Sequence, residues 1–156
     1  MRTTDVLIIG SGVAGVSAAL ELARNPDLKI DIFTGAHDPQ ESNTRYAQGG
    51  IVGRGGEDDS PELLVEDILT AGAGASLPSA ARILAEEGPA AFQKILVETC
   101  GVAFDQDTKG TVAWGREAAH SRHRIAHVGD TTGKAIISGM LKELEKCSHC
   151  WSRQWR

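Results

Sequence analysis

Apolar positions change their period several times along this chain, and each change marks an element. DVLIIG (5–10) is a short, nearly continuous apolar run, the pattern of a strand buried on both faces of a parallel sheet. VAGVSAALELARN follows with Ala and Leu at helical spacing, and Asn25-Pro26 closes it. LKIDIFT (28–34) reads as a second strand, so the first 34 residues form a right-handed βαβ unit around a glycine turn. Residues 35–59 are polar and glycine-rich with little periodicity. SPELLVEDILTAG (60–72) then opens with a serine cap and a proline at the first helical position. LPSAARILAEEG and PAAFQKILVETCG predict two further short helices, each begun by Pro and ended by Gly. VAFDQDTKGTVAWG predicts a hairpin around its Lys-Gly turn, and DTTGKAIISGMLKELEK (130–146) an amphipathic helix with an Asp/Thr start. CSHCWSRQWR, at 147–156, carries no helical or strand pattern, and no internal repeat is seen.

Length and composition narrow the class. At 156 residues the chain is long enough for one domain with a real core. The net charge of -5, with acids and bases interspersed, gives no basic surface for nucleic acid. No apolar run approaches the ~18 residues of a membrane span. The apolar N-terminal stretch runs into glycines rather than a cleavage site, so no signal peptide and a cytoplasmic location are expected. Three cysteines are too few for a disulfide framework and fit a reducing compartment. The 18 glycines cluster at 10–15, 49–56 and 72–74, where backbone is expected to approach something closely.

The first cluster carries a specific chemistry. GSGVAG sets Gly10, Gly12 and Gly15 in the GxGxxG spacing, after a strand and opening a helix. Gly10 permits the tight turn, Gly12 lets backbone N–H groups (with those of Ser11, Val13 and Ala14) approach a pyrophosphate, and Gly15 allows close strand–helix packing. The phosphates would rest on the helix N-terminus. A glycine-rich turn of some other α/β protein is the alternative. The usual acidic ribose ligand at the end of the second strand is missing: Thr34 stands there, followed by Gly35, and Asp31 lies inside the strand. A hydroxyl can bond a ribose, so Thr34 is a candidate substitute, and a plain NAD dehydrogenase is disfavoured.

SNTRYAQGG (42–50) packs two hydroxyls, an amide, a cation and a terminal Gly-Gly into nine positions. Together with DVLIIGSGVAG, EDILTAGAG and GREAAHSRHRIAHVGDTTGKAI, in this order, it resembles the fumarate reductase/succinate dehydrogenase flavoprotein family, and within it the L-aspartate oxidase branch. The resemblance covers residues 4 to about 146. It implies a Rossmann-like α/β FAD-binding domain with a parallel sheet, incomplete here, the N-terminal part of a larger two- or three-domain flavoprotein. Residues 35–56 would be its flavin loop, 60–100 a helical insertion, and 101–128 a hairpin with a substrate-side motif. Ser42, Asn43, Thr44, Arg45, Tyr46, Ala47, Gln48, Gly49 and Gly50 would cradle the flavin, with Ser42 and Thr44 as donors and Gly49 and Gly50 lying flat against the ring. Respiratory members carry a flavin-bonding histidine where this chain has Asn43, so FAD is expected to be non-covalent.

REAAHSRHRIAH is the densest ionisable cluster: Arg116, Glu117, His120, Arg122, His123, Arg124 and His127. Cations suit a dicarboxylate, although a solvated turn and surface strand would explain most of them equally well. By resemblance Glu117 faces the substrate and pairs with its ammonium, and His120 and Ser121 are substrate-side. The chain departs from the common pattern at Ala118-Ala119, where Gly-Gly is frequent, and at Gly35, where many relatives carry lysine. The implied reaction is oxidation of L-aspartate to iminoaspartate with O2 or fumarate as acceptor, in de novo NAD biosynthesis, with a possible handover to quinolinate synthase. A soluble fumarate reductase-like protein and a non-catalytic FAD-binding remnant are the alternatives. The family's general acid/base arginine belongs to a later domain, so this chain is expected to be an inactive fragment, with 147–156 as a truncation or frameshift tail. Cys147-x-x-Cys150 is a weak metal or redox signal, and no metal site is expected. The sequence does not give the oligomeric state.

Overall fold

The computed structural model describes residues 3–148 and 150–154. β1 (Val6–Ile9) lies parallel to β2 (Ile30–Thr34), with Val6 opposite Ile30 and Ile9 opposite Phe33. Between them α1 (Val13–Leu22) crosses over and buries Val16 and Ala19 against the sheet. These are the strand, helix and strand predicted from the apolar pattern. β2 is buried nearly throughout, whereas β1 alternates: Leu7 is 52% and Ile9 69% exposed. The expectation that β1 is covered on both faces is therefore corrected, because no element among the described residues lies over that face.

Beyond β2, β5 (Cys150–Gln154) pairs in parallel, giving the order β1-β2-β5. The last residues thus hold a strand that the sequence pattern did not announce. The segment is too short and too mixed for a clear period, and its pairing depends on β2, more than a hundred positions away. His149 and the side chain of Cys150 lie outside the described residues, and with them the Cys147-x-x-Cys150 expectation.

The middle of the chain builds a second layer. A 3-10 turn (Asn43–Tyr46) precedes β3 (Ile51–Val52), which pairs antiparallel with β4 (Ile125–Ala126). α2 (Pro61–Ala71) starts where expected: the Ser60 hydroxyl accepts from the Leu63 N–H at 3.3 Å, with Pro61 in the first turn.

The two helices predicted on either side of Gly88-Pro89 are one. α3 (Pro78–Ala91) contains Pro89 and continues into a π-helical stretch (Phe92–Thr99), where the Cys100 N–H reaches the Ile95 carbonyl. Ala81, Ala85, Phe92 and Leu96 are buried along this rod, so a continuous apolar face outweighs the local break signal. The predicted hairpin is present as a tight turn. Asp107 accepts from Lys109 and Thr111, Gly110 has φ +78°, and Gln106 bridges Val112.

α4 (Thr132–Leu144) closes the core with Ile136, Ile137, Met140 and Leu144 against α1, the β2 isoleucines and the Phe92–Phe104 pair, whose rings are 4.9 Å apart. Each buried aliphatic or aromatic side chain there contributes roughly 1.5–3 kcal/mol. The start of α4 meets the 3-10 turn so closely that a Cβ on Gly133 would overlap the Thr44 carbonyl oxygen.

Candidate functional site

The site begins at the C-terminal end of β1. Gly10 (φ +105°) donates its N–H to Phe33 O at 2.7 Å and takes a conformation that a side chain rarely adopts. A Cβ on Gly15 would overlap the Gly10 carbonyl oxygen, which is the close strand–helix packing expected of the third glycine. Gly12 occupies the N-cap of α1 and offers no side chain to cap it. Instead the Val13 N–H is taken by the Thr44 hydroxyl at 3.0 Å. A Cβ on Gly12 would sit 3.3 Å from that hydroxyl and 3.8 Å from the Ser42 Cβ. The glycine turn and the polar segment, thirty residues apart in sequence, are thus in direct contact.

Ser11 is buried and bonds Thr34 across 3.1 Å, while the Ala36 N–H points at the same threonine hydroxyl from 3.4 Å. Thr34 is itself only 5% exposed, so its hydroxyl ties the turn after β1 to the turn after β2. Gly35 is exposed, and nothing lies within 4 Å of a Cβ built there.

The polar segment is held from behind. The Ser138 hydroxyl donates to the Gln40 amide oxygen at 2.9 Å, Gly133 N–H to Ala47 O at 3.0 Å, and Arg45 lies 3.7 Å from Asp38. Asn43, Tyr46, Ala47, Gln48 and Gly49 face outward, with the Tyr46 hydroxyl on Glu41. Gly50 differs: a Cβ there would overlap Ile125 Cγ2 and come within 2.7 Å of His127, so the protein's own packing requires this glycine.

Glu117 reaches the segment from the other side, and its Oε1 accepts the Gly50 N–H at 2.9 Å. The His127 Nε2 stands 3.9 Å from the same oxygen, and the carboxylate remains 45% exposed. Glu117 therefore sits at the end of the SNTRYAQGG segment, open to solvent.

Most of the remaining ionisable cluster is paired within the protein. Arg124 is fully buried, with one nitrogen 2.6 Å from Asp59 and another on Asp67. Arg122 Nε lies 3.3 Å from Asp58, and His123 Nδ1 3.3 Å from Trp114 O. Ser121 gives both its N–H (2.8 Å) and its hydroxyl (2.9 Å) to Asp67. His120 Nδ1 is 3.4 Å from Arg124. Burial pushes the Asp59 carboxyl up, but Arg124 and the Gly55 N–H outweigh it and hold it below the ordinary value. Burial likewise opposes ionisation of Asp67, and the Ser121 N–H and Arg124 win.

Asp59 and Asp67 were missed in the sequence. Each is one acid among 21 and becomes distinctive only when folding sets it against a cation some sixty positions later. Among the described residues no group of three or more metal-ligating side chains comes together, and no helix is long and apolar enough to cross a membrane.

The donor set fits FAD. The N-terminus of α1, where Gly12 contributes no side chain and Thr44 takes only the Val13 N–H, is where a pyrophosphate would rest; a side chain on Gly12 would crowd it, and a hydroxyl-bearing segment lies alongside. The family described as "FAD binding domain" matches residues 5–156. The chain is 43% identical over 143 residues to an L-aspartate oxidase of Halobacterium salinarum, covering 92% of this chain and 27% of that protein. It is 42% identical over 139 residues to one of Streptomyces coelicolor, covering 88% and 23%. The chain spans about a quarter of the length of these curated relatives. Among solved structures, Mycobacterium smegmatis Sdh1 in complex with UQ1 superposes with a TM-score of 0.87 at 26% identity, over 98% of this chain and 27% of that one. An E. coli quinol fumarate reductase FrdA superposes at 0.89 and 23% identity, over 96% and 25%, and shows the fold alone. The glycine turn, the segment packed on it and these matches together assign the chain to the FAD-binding-domain family, with the fumarate reductase/succinate dehydrogenase flavoprotein fold and FAD as its cofactor.

Proposed function

We propose that the protein oxidises L-aspartate to iminoaspartate with non-covalently bound FAD, and that these 156 residues form the cofactor-binding part of that enzyme. The observation that carries this reading is the position of Glu117, whose carboxylate anchors on the Gly50 N–H through Oε1 while its exposed remainder looks outward beside the flavin-loop sequence. A carboxylate there discriminates an amino acid from a plain dicarboxylate, because only the amino acid brings an ammonium to pair with it. The similarity to L-aspartate oxidases at 42–43% identity supports the same substrate.

Gly10, Ser11, Gly12, Val13, Ala14 and Gly15 would hold the pyrophosphate on the α1 N-terminus, with the Ser42–Gly50 segment over the isoalloxazine. Bound FAD supplies a two-electron acceptor, reoxidised by O2 or fumarate. Thr44 keeps the two segments in register through the Val13 N–H. Asn43 is an amide with no nucleophilic nitrogen to match an imidazole, which leaves the cofactor unattached. Proton removal from the substrate falls to a group outside these residues, so the 156-residue chain alone binds FAD without turnover. The product would feed de novo NAD biosynthesis, in the cytoplasm.

A soluble fumarate reductase-like activity is the second reading, favoured by the fold shared with the reductase and dehydrogenase structures. Titrating L-aspartate and succinate into the FAD-loaded protein separates the two. Glu117→Gln should weaken L-aspartate about 10-fold or more and leave succinate unchanged, since one charge-assisted hydrogen bond contributes roughly 1.5–3 kcal/mol. Equal weakening of both ligands would contradict the aspartate reading.

A further inference from the structure

The segment that carries Glu117 is closed on itself. Gly115 and Ile125 exchange backbone hydrogen bonds (2.7 and 3.0 Å), so residues 116–124 leave and return at one point. Such a loop could take many shapes. Its shape is set by a polar cluster around the buried Arg124, made with two other parts of the chain. Asp67 of α2 accepts from the Ser121 N–H and hydroxyl and from Arg124. Asp59, which also accepts the Gly55 N–H at 3.2 Å, takes Arg124 through both of its oxygens. Arg124 is fully buried and both carboxylates are held ionised, so the cluster has no inexpensive alternative arrangement: moving one member strands a buried charge. The same arginine lies 3.4 Å from His120, whose own N–H bonds the Glu117 carbonyl at 3.0 Å.

We infer that Asp67 and Arg124 are positioning residues for Glu117, fixing the 116–124 loop so that its carboxylate stays on the Gly50 N–H at the edge of the cofactor segment. The helical insertion then has a role in the site: α2 braces the loop through Asp67. The inference rests on the reading of Glu117 as the ammonium partner only for its consequence in catalysis. The placement of the carboxylate is separate and can be measured on its own.

The Gly50 amide is the reporter. In the 15N-labelled 156-residue chain Glu117→Gln should move the Gly50 amide resonance, because a neutral amide oxygen accepts its N–H less strongly than a carboxylate does. Asp67→Ala should move it in the same direction while leaving the Gly10 and Gly15 amides of the glycine turn unmoved. A merely structural loss would shift all three. If Asp67→Ala does not fold, Asp67→Asn, which keeps the shape and removes the charge, should give a smaller move in that direction. An unmoved Gly50 amide in a folded Asp67 variant would overturn the inference. L-Aspartate binding separates the two ideas. A Gly50 amide moved in Asp67→Ala together with unaltered aspartate binding in Glu117→Gln sinks the ammonium reading and leaves the positioning role standing. The reverse pair of results does the opposite.

Discussion

At single residues, sterics, side-chain chemistry and burial each set a different property of the site. Gly15 is fixed by sterics, since any Cβ there overlaps the Gly10 carbonyl oxygen. Gly15→Ala should cost about 1–3 kcal/mol in urea unfolding, the usual penalty for overpacking a close contact. With Asn43 in place of a nucleophilic side chain the proposed site holds FAD without a covalent bond: acid precipitation of the loaded protein should leave all flavin in the supernatant, and flavin in the pellet would contradict that reading. Arg124 answers to burial. Arg124→Ala strands the Asp59 and Asp67 carboxylates together and should destabilise the fold by about 3–5 kcal/mol. Asp59 and Asp67 also give the fold an acid limb. Both pKa values lie below the ordinary 3.8 in the folded state, so their contribution is fully present above that value and is lost as pH falls through the folded-state values beneath it. Unfolding midpoints followed downward from about pH 5 should drop more steeply in the parent than in Asp67→Asn, which keeps only one of the two acids.

At the scale of elements, the βαβ opening, α2 and α4 were legible because each combines a period with its own start signal: a glycine turn, Ser60-Pro61, Asp130-Thr131. The glycine turn and the SNTRYAQGG segment were readable one by one, but their contact through Thr44 and Val13 was not, because no local pattern encodes a meeting thirty positions apart. The same holds for the cations. Arg122 and Arg124 read equally as cations for a dicarboxylate and as a solvated turn, and the fold gives them to Asp58, Asp59 and Asp67. Gly88-Pro89 misled for the opposite reason: a strong local break signal lost to a buried stripe running through it. That rod holds a testable remainder. Nothing lies within 4 Å of a Cβ on Gly88, and its φ is not positive, so Gly88→Ala should stabilise the protein by roughly 0.5–1 kcal/mol in thermal or urea unfolding.

Across the whole molecule, on the proposed reading, one layer positions the cofactor and the other a carboxylate beside it. The sheet and α1 present backbone N–H groups; α2, the 53–60 segment and the 116–124 loop present Glu117; α4 wedges against the 3-10 turn and keeps the two in register. The most direct test of this account is a titration of the 156-residue chain with FAD, followed by flavin fluorescence. It should saturate at one FAD per chain. Gly12→Val, which pushes a side chain toward the Thr44 hydroxyl and over the α1 N-terminus, should abolish binding while the far-UV circular dichroism stays that of the parent. A folded parent chain that takes up no FAD, or a Gly12→Val chain that binds it as well as the parent, would contradict the placement of the cofactor on this turn.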